Sequence, residues 1–186
     1  MDVDVNLPQK MKLYFDGADC LRKLAEPWDF NKDTDALAFA KEMYNLMQQY
    51  SGIGLAAPQV GVSKRVIVSI FNNYAGYYFN PEIVSSSNEL IKFKDGEGCL
   101  SFPGINLHVP RCKSIVVKWQ NENGNICQSE FAGLPAIVLQ HEIDHLDGKL
   151  FVDYFGKMGK DIIKRKQSKF LKKMKISIDN YQQGRG

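Results

Sequence analysis

The sequence predicts an α+β fold in which short antiparallel strands pack around a central helix, with an additional helix at the C-terminus. Three observations favour this class. An amphipathic helical pattern comes first, a series of short segments rich in branched and aromatic residues follows, and two further helical patterns end the chain. Because no helices separate the strand-like segments, we expect antiparallel rather than parallel sheets.

Composition limits the class of protein. The 186-residue chain is long enough for one compact domain, and its hydrophobic fraction of 44% and charged fraction of 24% are ordinary for a globular protein. No run of eighteen apolar residues occurs, and no basic start precedes an apolar stretch, so we expect neither membrane insertion nor export. Four cysteines without a CxxC pair favour a cytoplasmic location over a disulfide scaffold.

The first helix is predicted over residues 34–50, where apolar side chains recur with helical spacing. Asp33 or Thr34 is the expected cap, and Gly52 is the expected end. An Asn-Gly dipeptide before the last strand-like segment is typical of a hairpin turn. The predicted strands are 65–71, 77–83, 90–93, 105–109, 114–119 and 126–131.

Two more helices are predicted in the last third of the chain. Gly133 opens one and Gly148 ends it, and another covers about 157–175. Residues 157–186 contain ten Lys or Arg against two Asp, a charge of +8, whereas the rest of the chain carries −5. We expect 1–156 to form the catalytic domain and 157–186 a basic C-terminal helix or tail of the same domain.

The helix that Gly133 opens contains the motif HExxH. His141 and His145 are four residues apart and therefore share one helical face, where two imidazoles can hold a metal ion. Glu142 is placed to reach metal-bound water. A longer zinc-protease motif would require a third histidine at position 151, which is Phe151, so another segment must complete the metal shell.

The residues alone leave the third ligand open among His108, carboxylates such as Asp153, and the four thiols. Cys99 stands out because it lies in EGCLS at 97–101, where the flanking glycine permits close backbone approach. The neighbouring glutamate, Glu97, can orient another ligand.

Three blocks taken together, GIGLAAPQ at 52–59, EGCLS at 97–101 and QHEIDH at 140–145, resemble the signature motifs of the peptide deformylases, in the same order. The resemblance implies a metal-dependent amide hydrolase that removes the formyl group from the N-terminal formyl-methionine of nascent polypeptides and releases formate. In such a reaction Glu142 acts as general base and then general acid toward metal-bound water.

The same resemblance implies that Cys99, His141 and His145 bind one divalent metal ion and leave a fourth position open. Such a shell suits catalysis rather than structure. The family suggests Fe(II) as the native ion, although thiolate and imidazole ligands also suit zinc, nickel and cobalt.

Further site residues follow from the resemblance. Gln59 and the Leu100 backbone N–H would stabilise the reacting oxygen, and Glu97 with Arg111 would steady the cysteine segment. The residues expected to bind the peptide are Ile53, Gly54, Gly98, Leu134, Ile137 and Val138. The last three form an apolar helix stripe that, without the family, is more typical of a core.

Other interpretations of the motifs remain at this stage. A zincin-type endopeptidase would take its third ligand from downstream, for example Asp153. A structural module would close the metal shell with Cys112 as a second thiolate. The block GIGLAA also matches a dinucleotide-binding fingerprint, but it follows a helix instead of a strand and precedes Pro58, so that match is weak.

Partners follow from the expected function. We expect a monomer that acts on N-formylmethionyl peptides and does not bind membranes. The basic segment 157–186 is either an ordinary solvated surface or a surface for polyanions, as in bacterial deformylases whose C-terminal helix docks on the ribosome.

Overall fold

The computed structural model describes residues 11–33 and 35–182, with side chains described up to residue 175. Within these ranges the chain forms an α+β structure, which confirms the predicted class. The helices are α1 (Ala36–Gln49), α2 (Leu134–Leu146) and α3 (Lys157–Gln182). The strands are β1 (Gly54–Ala56), β2 (Val66–Phe71), β3 (Tyr74–Ser86), β4 (Leu90–Ile91), β5 (Glu97–Gly98), β6 (Asn106–Leu107), β7 (Arg111–Cys112), β8 (Ser114–Gln120) and β9 (Ile126–Ala132).

An antiparallel five-stranded sheet in the order β1-β2-β3-β8-β9 forms the frame of the molecule. Hairpins join β2 to β3 and β8 to β9. The first turns at Asn72 and Asn73, whose φ angles of 50° and 65° suit a two-residue hairpin. The second turns at the predicted Asn-Gly, with Gly124 at φ 78°. Two short antiparallel pairs, β4-β7 and β5-β6, lie outside this sheet.

Helices α1 and α2 belong to different hydrophobic clusters of the sheet. Alternate side chains of β2 enter different clusters, because successive residues of a strand point to opposite faces. Val66 and Val68 pack in the cluster that contains α1, whereas Ile67 packs with Leu139 and Ile143 of α2. Helix α2 is therefore held against the sheet through its apolar residues, and it carries the HExxH residues.

The C-terminal part of the chain packs on a third cluster. Ile163 of α3 joins Leu21, Phe102 and Phe151 there, which attaches the basic helix to the body. None of the three helices, within the residues the structure describes, combines the length and apolarity needed to cross a bilayer.

The ends of α1 differ from the prediction. The cap is Asp35, whose side chain accepts a hydrogen bond of 2.9 Å from the Ala38 amide. Asp33 instead accepts from the Asp29 amide, and the alternative cap, Thr34, lies outside the described residues. The predicted caps lie one or two residues before the observed cap. Residue type alone cannot choose between neighbouring capping residues, because the backbone geometry at the start of the helix decides which one caps it.

The end of α1 was also predicted one residue too late. Ser51, with φ 54°, takes the left-handed position, and the Gly52 amide bonds to the Met47 carbonyl at 2.9 Å. This is a Schellman ending with serine where glycine is usual. Gly52 lies close to the cysteine segment, and a Cβ there would require Leu100 to shift, because it would lie 2.9 Å from Leu100 Cδ1.

Several strands were shorter than predicted or not predicted. The segments 90–93 and 105–109 contain only two strand residues each, in β4 and β6. Strands β1, β5 and β7 were not predicted, because two or three residues carry too little periodicity to be recognised.

Replacing Gly148 with alanine is predicted to destabilise the protein more than the same change at Gly17. Both glycines have left-handed φ angles, 68° and 94°, a conformation that costs alanine roughly 1 to 2 kcal/mol. Only at Gly148 would the new Cβ collide with backbone, 2.6 Å from the Arg22 carbonyl oxygen; at Gly17 nothing lies within 4 Å. Overpacking adds roughly 1 to 3 kcal/mol.

Urea unfolding of the metal-saturated proteins measures both changes. Equal losses in the free energy of unfolding for the two variants would show that the contact between Gly148 and Arg22 does not constrain the end of α2.

Candidate active site

Three potential metal ligands converge from two segments of the chain. His141 and His145 lie one turn apart on α2 and are buried, and Cys99 directly follows β5. Their ligand atoms all lie within 4.8 Å of one another, and Cys99 Sγ is 3.3 Å from His145 Nε2. A thiolate and an imidazole sharing one tetrahedral ion would be about 3.5 Å apart. The donor set therefore fits a single divalent metal ion.

A buried ion pair orients His141. Its Nδ1 lies 3.0 Å from Glu97 Oε2, which leaves Nε2 free to bind metal. Arg111 donates two hydrogen bonds of 2.9 Å to the Glu97 carboxylate. On its other side Arg111 bonds to Asp144 and to the Tyr154 hydroxyl. These contacts link the strand before Cys99 to the helix that carries the imidazoles.

The charges in this network follow from burial and pairing. Burial alone would raise the pKa of Glu97, but the bonds from His141 and Arg111 outweigh it and lower that pKa. Burial would likewise lower the pKa of His141, yet hydrogen bonds with Cys99 and Glu97 raise it to about 10. The pKa of His145 is lowered by burial and by His141. Burial and pairing thus shift the pKa values of the two imidazoles in opposite directions.

Sequence reasoning did not identify Asp144 or Tyr154. The Tyr154 hydroxyl also donates to Asp144, at 3.0 Å, so the two side chains form one acceptor group for Arg111. Nothing in their spacing connects them to Arg111, which is far away in the chain. Asp144 does lie inside the HExxH block, and its position there is the one sequence signal that could have indicated it.

Gln59 is held in one orientation beside the cysteine. Its Oε1 accepts a hydrogen bond of 2.8 Å from the Ala56 amide, and its Nε2 donates to Ser101 Oγ at 3.3 Å and approaches Cys99 Sγ at 3.6 Å. The amide donor is therefore directed toward the ligand group. Ser101 is completely buried, and its contact with Gln59 was not predicted, although it ends the EGCLS block.

Glu142 is a buried carboxylate without a partner for one oxygen. It is 4% exposed, and within the described residues its Oε2 has no hydrogen bond. Burial raises its pKa to about 7. A Cβ on Gly54 would lie 2.5 Å from Glu142 Oε1, so only glycine at this position leaves room for the carboxylate. The group is thus suited to accept and return a proton near neutral pH.

A cleft of about 720 Å³ opens in front of these groups. It includes every residue predicted to bind peptide: Ile53, Gly54, Gly98, Leu134, Ile137 and Val138. Leu134 is 39% exposed at the surface, whereas Ile137 and Val138 are buried. Strand β1 is an edge of the main sheet, so the backbone groups on the side opposite β2 are not paired with another strand of this sheet. An extended peptide could pair there.

The structure does not favour the competing ligand sets. Asp153 bonds to Arg22, Lys160 and the Leu150 amide, so its carboxylate is already engaged. Among the residues described, the metal-binding group contains neither Cys112 nor His108. Cys112 instead binds the Gln140 side chain through both backbone groups, at 3.0 and 2.9 Å, which fastens β7 to α2.

Comparisons with known proteins agree with one another. The family model described as polypeptide deformylase matches residues 10–161. A peptide deformylase of Treponema pallidum is 39% identical over 151 residues, 81% of this chain and 91% of the relative. The crystal structure of a peptide deformylase from Legionella pneumophila has a TM-score of 0.80 at 35% identity, covering 89% of this chain and 98% of that chain. A Met-Ala-Ser bound class I type b peptide deformylase from Acinetobacter baumannii has a TM-score of 0.71 at 34% identity, covering 78% and 98%.

Replacing Arg111 with alanine is predicted to weaken metal binding by roughly 10- to 100-fold, because Glu97 loses the partner that fixes it against His141. Competition with a chromophoric chelator measures the affinity, and circular dichroism checks the fold. Arg65→Ala is the matched control, since Arg65 pairs with Asp147 at 2.9 Å without contacting a ligand. Wild-type affinity in a folded Arg111→Ala protein would contradict the proposed role.

Proposed function

The chain belongs to the peptide deformylase family, and on that premise we propose how its own residues remove the formyl group from N-terminal formyl-methionine of nascent polypeptides. One observation supports this assignment of residues most strongly. The ligand atoms of Cys99, His141 and His145 lie within 4.8 Å of one another. Glu142 and Gln59 line the same cleft. An endopeptidase reaction is not favoured, since the relatives and solved structures are deformylases.

We assign Cys99, His141 and His145 as the ligands of one divalent ion. When bound, such an ion would lower the pKa of a water molecule toward 7 and polarise the formyl oxygen. Imidazole and thiolate donors fit Fe(II), which the family resemblance supports as the native metal, and they also fit zinc, nickel and cobalt. Metal analysis of protein purified without oxygen checks the native ion.

Glu142 moves the proton in this mechanism. Water adds to the formyl carbon while its proton passes to the Glu142 carboxylate. Glu142 then returns this proton to the amide nitrogen as the carbon–nitrogen bond breaks, and formic acid leaves and releases its remaining proton to become formate. A pKa of about 7 suits both steps, because at neutral pH the carboxylate can accept a proton and the carboxylic acid can donate it again.

Gln59 and the Leu100 backbone N–H stabilise the negative charge that develops on the formyl oxygen. The Gln59 amide is fixed before substrate arrives, because Ala56 and Ser101 hold its two ends. Donors placed in advance do not have to reorganise during the reaction, and each is worth on the order of 3 kcal/mol in the transition state.

The substrate backbone lies along the free edge of β1 near Ile53 and Gly54, with Gly98 on the opposite side of the cleft. The methionine side chain enters the apolar wall of Leu134, Ile137 and Val138, which is the N-terminal half of α2. The solved relative from Acinetobacter baumannii is bound to Met-Ala-Ser, which supports a peptide that begins with methionine as the ligand of this cleft.

We place the protein in the cytoplasm as a monomer, where nascent polypeptides and a reducing environment coincide. Four unpaired cysteines support this location. Residues 1–156 then form the catalytic domain, and 157–186 form its basic C-terminal helix or tail.

The basic helix docks on the ribosome in this proposal. Lys164, Arg165, Lys169 and Lys172 surround a shallow depression on α3 together with Asp161 and Ser168. This side of α3 is exposed, whereas Ile163 is buried against the body. Attraction to ribosomal phosphates would place the cleft close to its substrate.

Replacing Glu142 with glutamine is predicted to lower formate release from formyl-Met-Ala-Ser by about 10²- to 10⁴-fold, because the amide cannot accept the proton. The assay couples formate to formate dehydrogenase without oxygen, and metal content is determined in parallel. Glu130→Gln, an exposed carboxylate on β9, is the control and should retain activity. Undiminished formate release, or internal cleavage of a blocked peptide without formate, would rule out this mechanism.

Charge reversal at Lys169 and Lys172 is predicted to reduce sedimentation with ribosomes, and the wild-type interaction should weaken as salt is raised. The control reverses Lys118 and Lys149, exposed lysines on the body, and so changes the net charge equally. Equal sedimentation of the two double variants would contradict docking through α3.

A further inference from the structure

Helix α3 reaches the candidate active site. Its residues Ile163 and Gln167 are each 6% exposed and fix the helix to the body. The next turns then bring Phe170, Leu171 and Met174 into the lining of the cleft that contains the metal ligands. The spacing of these side chains places them on one side of the helix, away from the basic depression.

Phe170 fits against a loop that leaves the cysteine segment. A Cβ on Gly104 would collide with the Phe170 ring, and Gly104 itself has a left-handed φ of 75°. The neighbouring residues of this loop, Phe102, Pro103 and Ile105, line the same cleft. The contact between helix and loop therefore forms a continuous apolar wall.

Leu171 and Met174 have apolar surface that the fold does not use. Each is 46% exposed although it lines the cleft. The wall for methionine lies on α2, so the side chains of α3 are not required for that residue. A cleft of about 720 Å³ is also in the range that buries a drug-sized ligand, which is larger than one formyl-methionine.

We propose that Phe170, Leu171 and Met174 form a distal subsite that binds apolar side chains of the substrate downstream of its methionine. The proposal rests on the deformylase function proposed above. Helix α3 would then have two roles. Its apolar side would select among peptides, and its exposed basic side would remain available to the ribosome. Contact with apolar substrate side chains removes surface from water on both partners, which favours such sequences.

The test compares formate release from two peptides, formyl-Met-Ala followed by two leucines or by two serines, with formyl-Met-Ala as a short reference. Wild-type protein should favour the leucine peptide by roughly fivefold to tenfold in kcat/KM, mostly through KM, as expected for differential burial of apolar groups. In the double variant Leu171→Ala, Met174→Ala this preference should fall toward one.

Lys173→Ala is the matched control, because Lys173 is exposed on the same turn and does not line the cleft. It should keep the wild-type preference. A second variant, Met174→Glu, should lower kcat/KM for the leucine peptide and raise it for a peptide with two lysines at the same positions, since an acidic group in the subsite attracts cations.

The outcomes separate the two levels of the proposal. Absence of formate from all peptides, including formyl-Met-Ala, would overturn the deformylase function. Formate release with the same leucine preference in wild type and double variant would overturn the subsite alone. An equal rise for every peptide in the double variant would also overturn it, because α3 would then cover the cleft instead of binding substrate.

Discussion

The paired hydrogen bonds from Arg111 to Glu97 are the interaction on which the site depends. Burying a carboxylate and a guanidinium is costly unless all their hydrogen bonds are satisfied, and here His141, Asp144 and Tyr154 satisfy them. Glu97 lies two residues before Cys99, whereas His141 and Asp144 belong to α2. The ion pair therefore fixes the distance between a short strand and a helix, and with it the position of the sulfur relative to the imidazoles.

The rest of the fold keeps this arrangement rigid. Helix α2 is buried against the main sheet through Leu139 and Ile143, and Gln140 bonds it to β7. Its polar residues can then face the cleft without loosening the core. Gly54 closely approaches Glu142, and the missing side chain on β1 makes room for the carboxylate to which we assign the proton transfer.

The sequence predicted well what depends on local patterns. The helices, the Asn-Gly hairpin and the antiparallel pairing all follow from periodicity and turn chemistry, and HExxH indicated two potential metal ligands on one helical face. It predicted less where tertiary contacts decide. Two-residue strands have no period, the cap moved to Asp35 because backbone geometry selects it, and the choice of Cys99 over other thiols needed the family resemblance. Tyr154, Ser101 and the cleft residues of α3 come together only in the folded chain.

The three-residue edge strand β1 has a broader meaning for an enzyme whose proposed substrates are many different polypeptides. Backbone amides and carbonyls are the same in all polypeptides. Pairing with a strand edge of this kind therefore does not depend on the amino-acid sequence of the bound peptide. Because this edge strand has only three residues, the proposed pairing would involve only a few residues of the bound peptide. Backbone pairing at β1 would thus allow many different peptides to bind. Any preference for one peptide over another has to come from side-chain contacts around this strand.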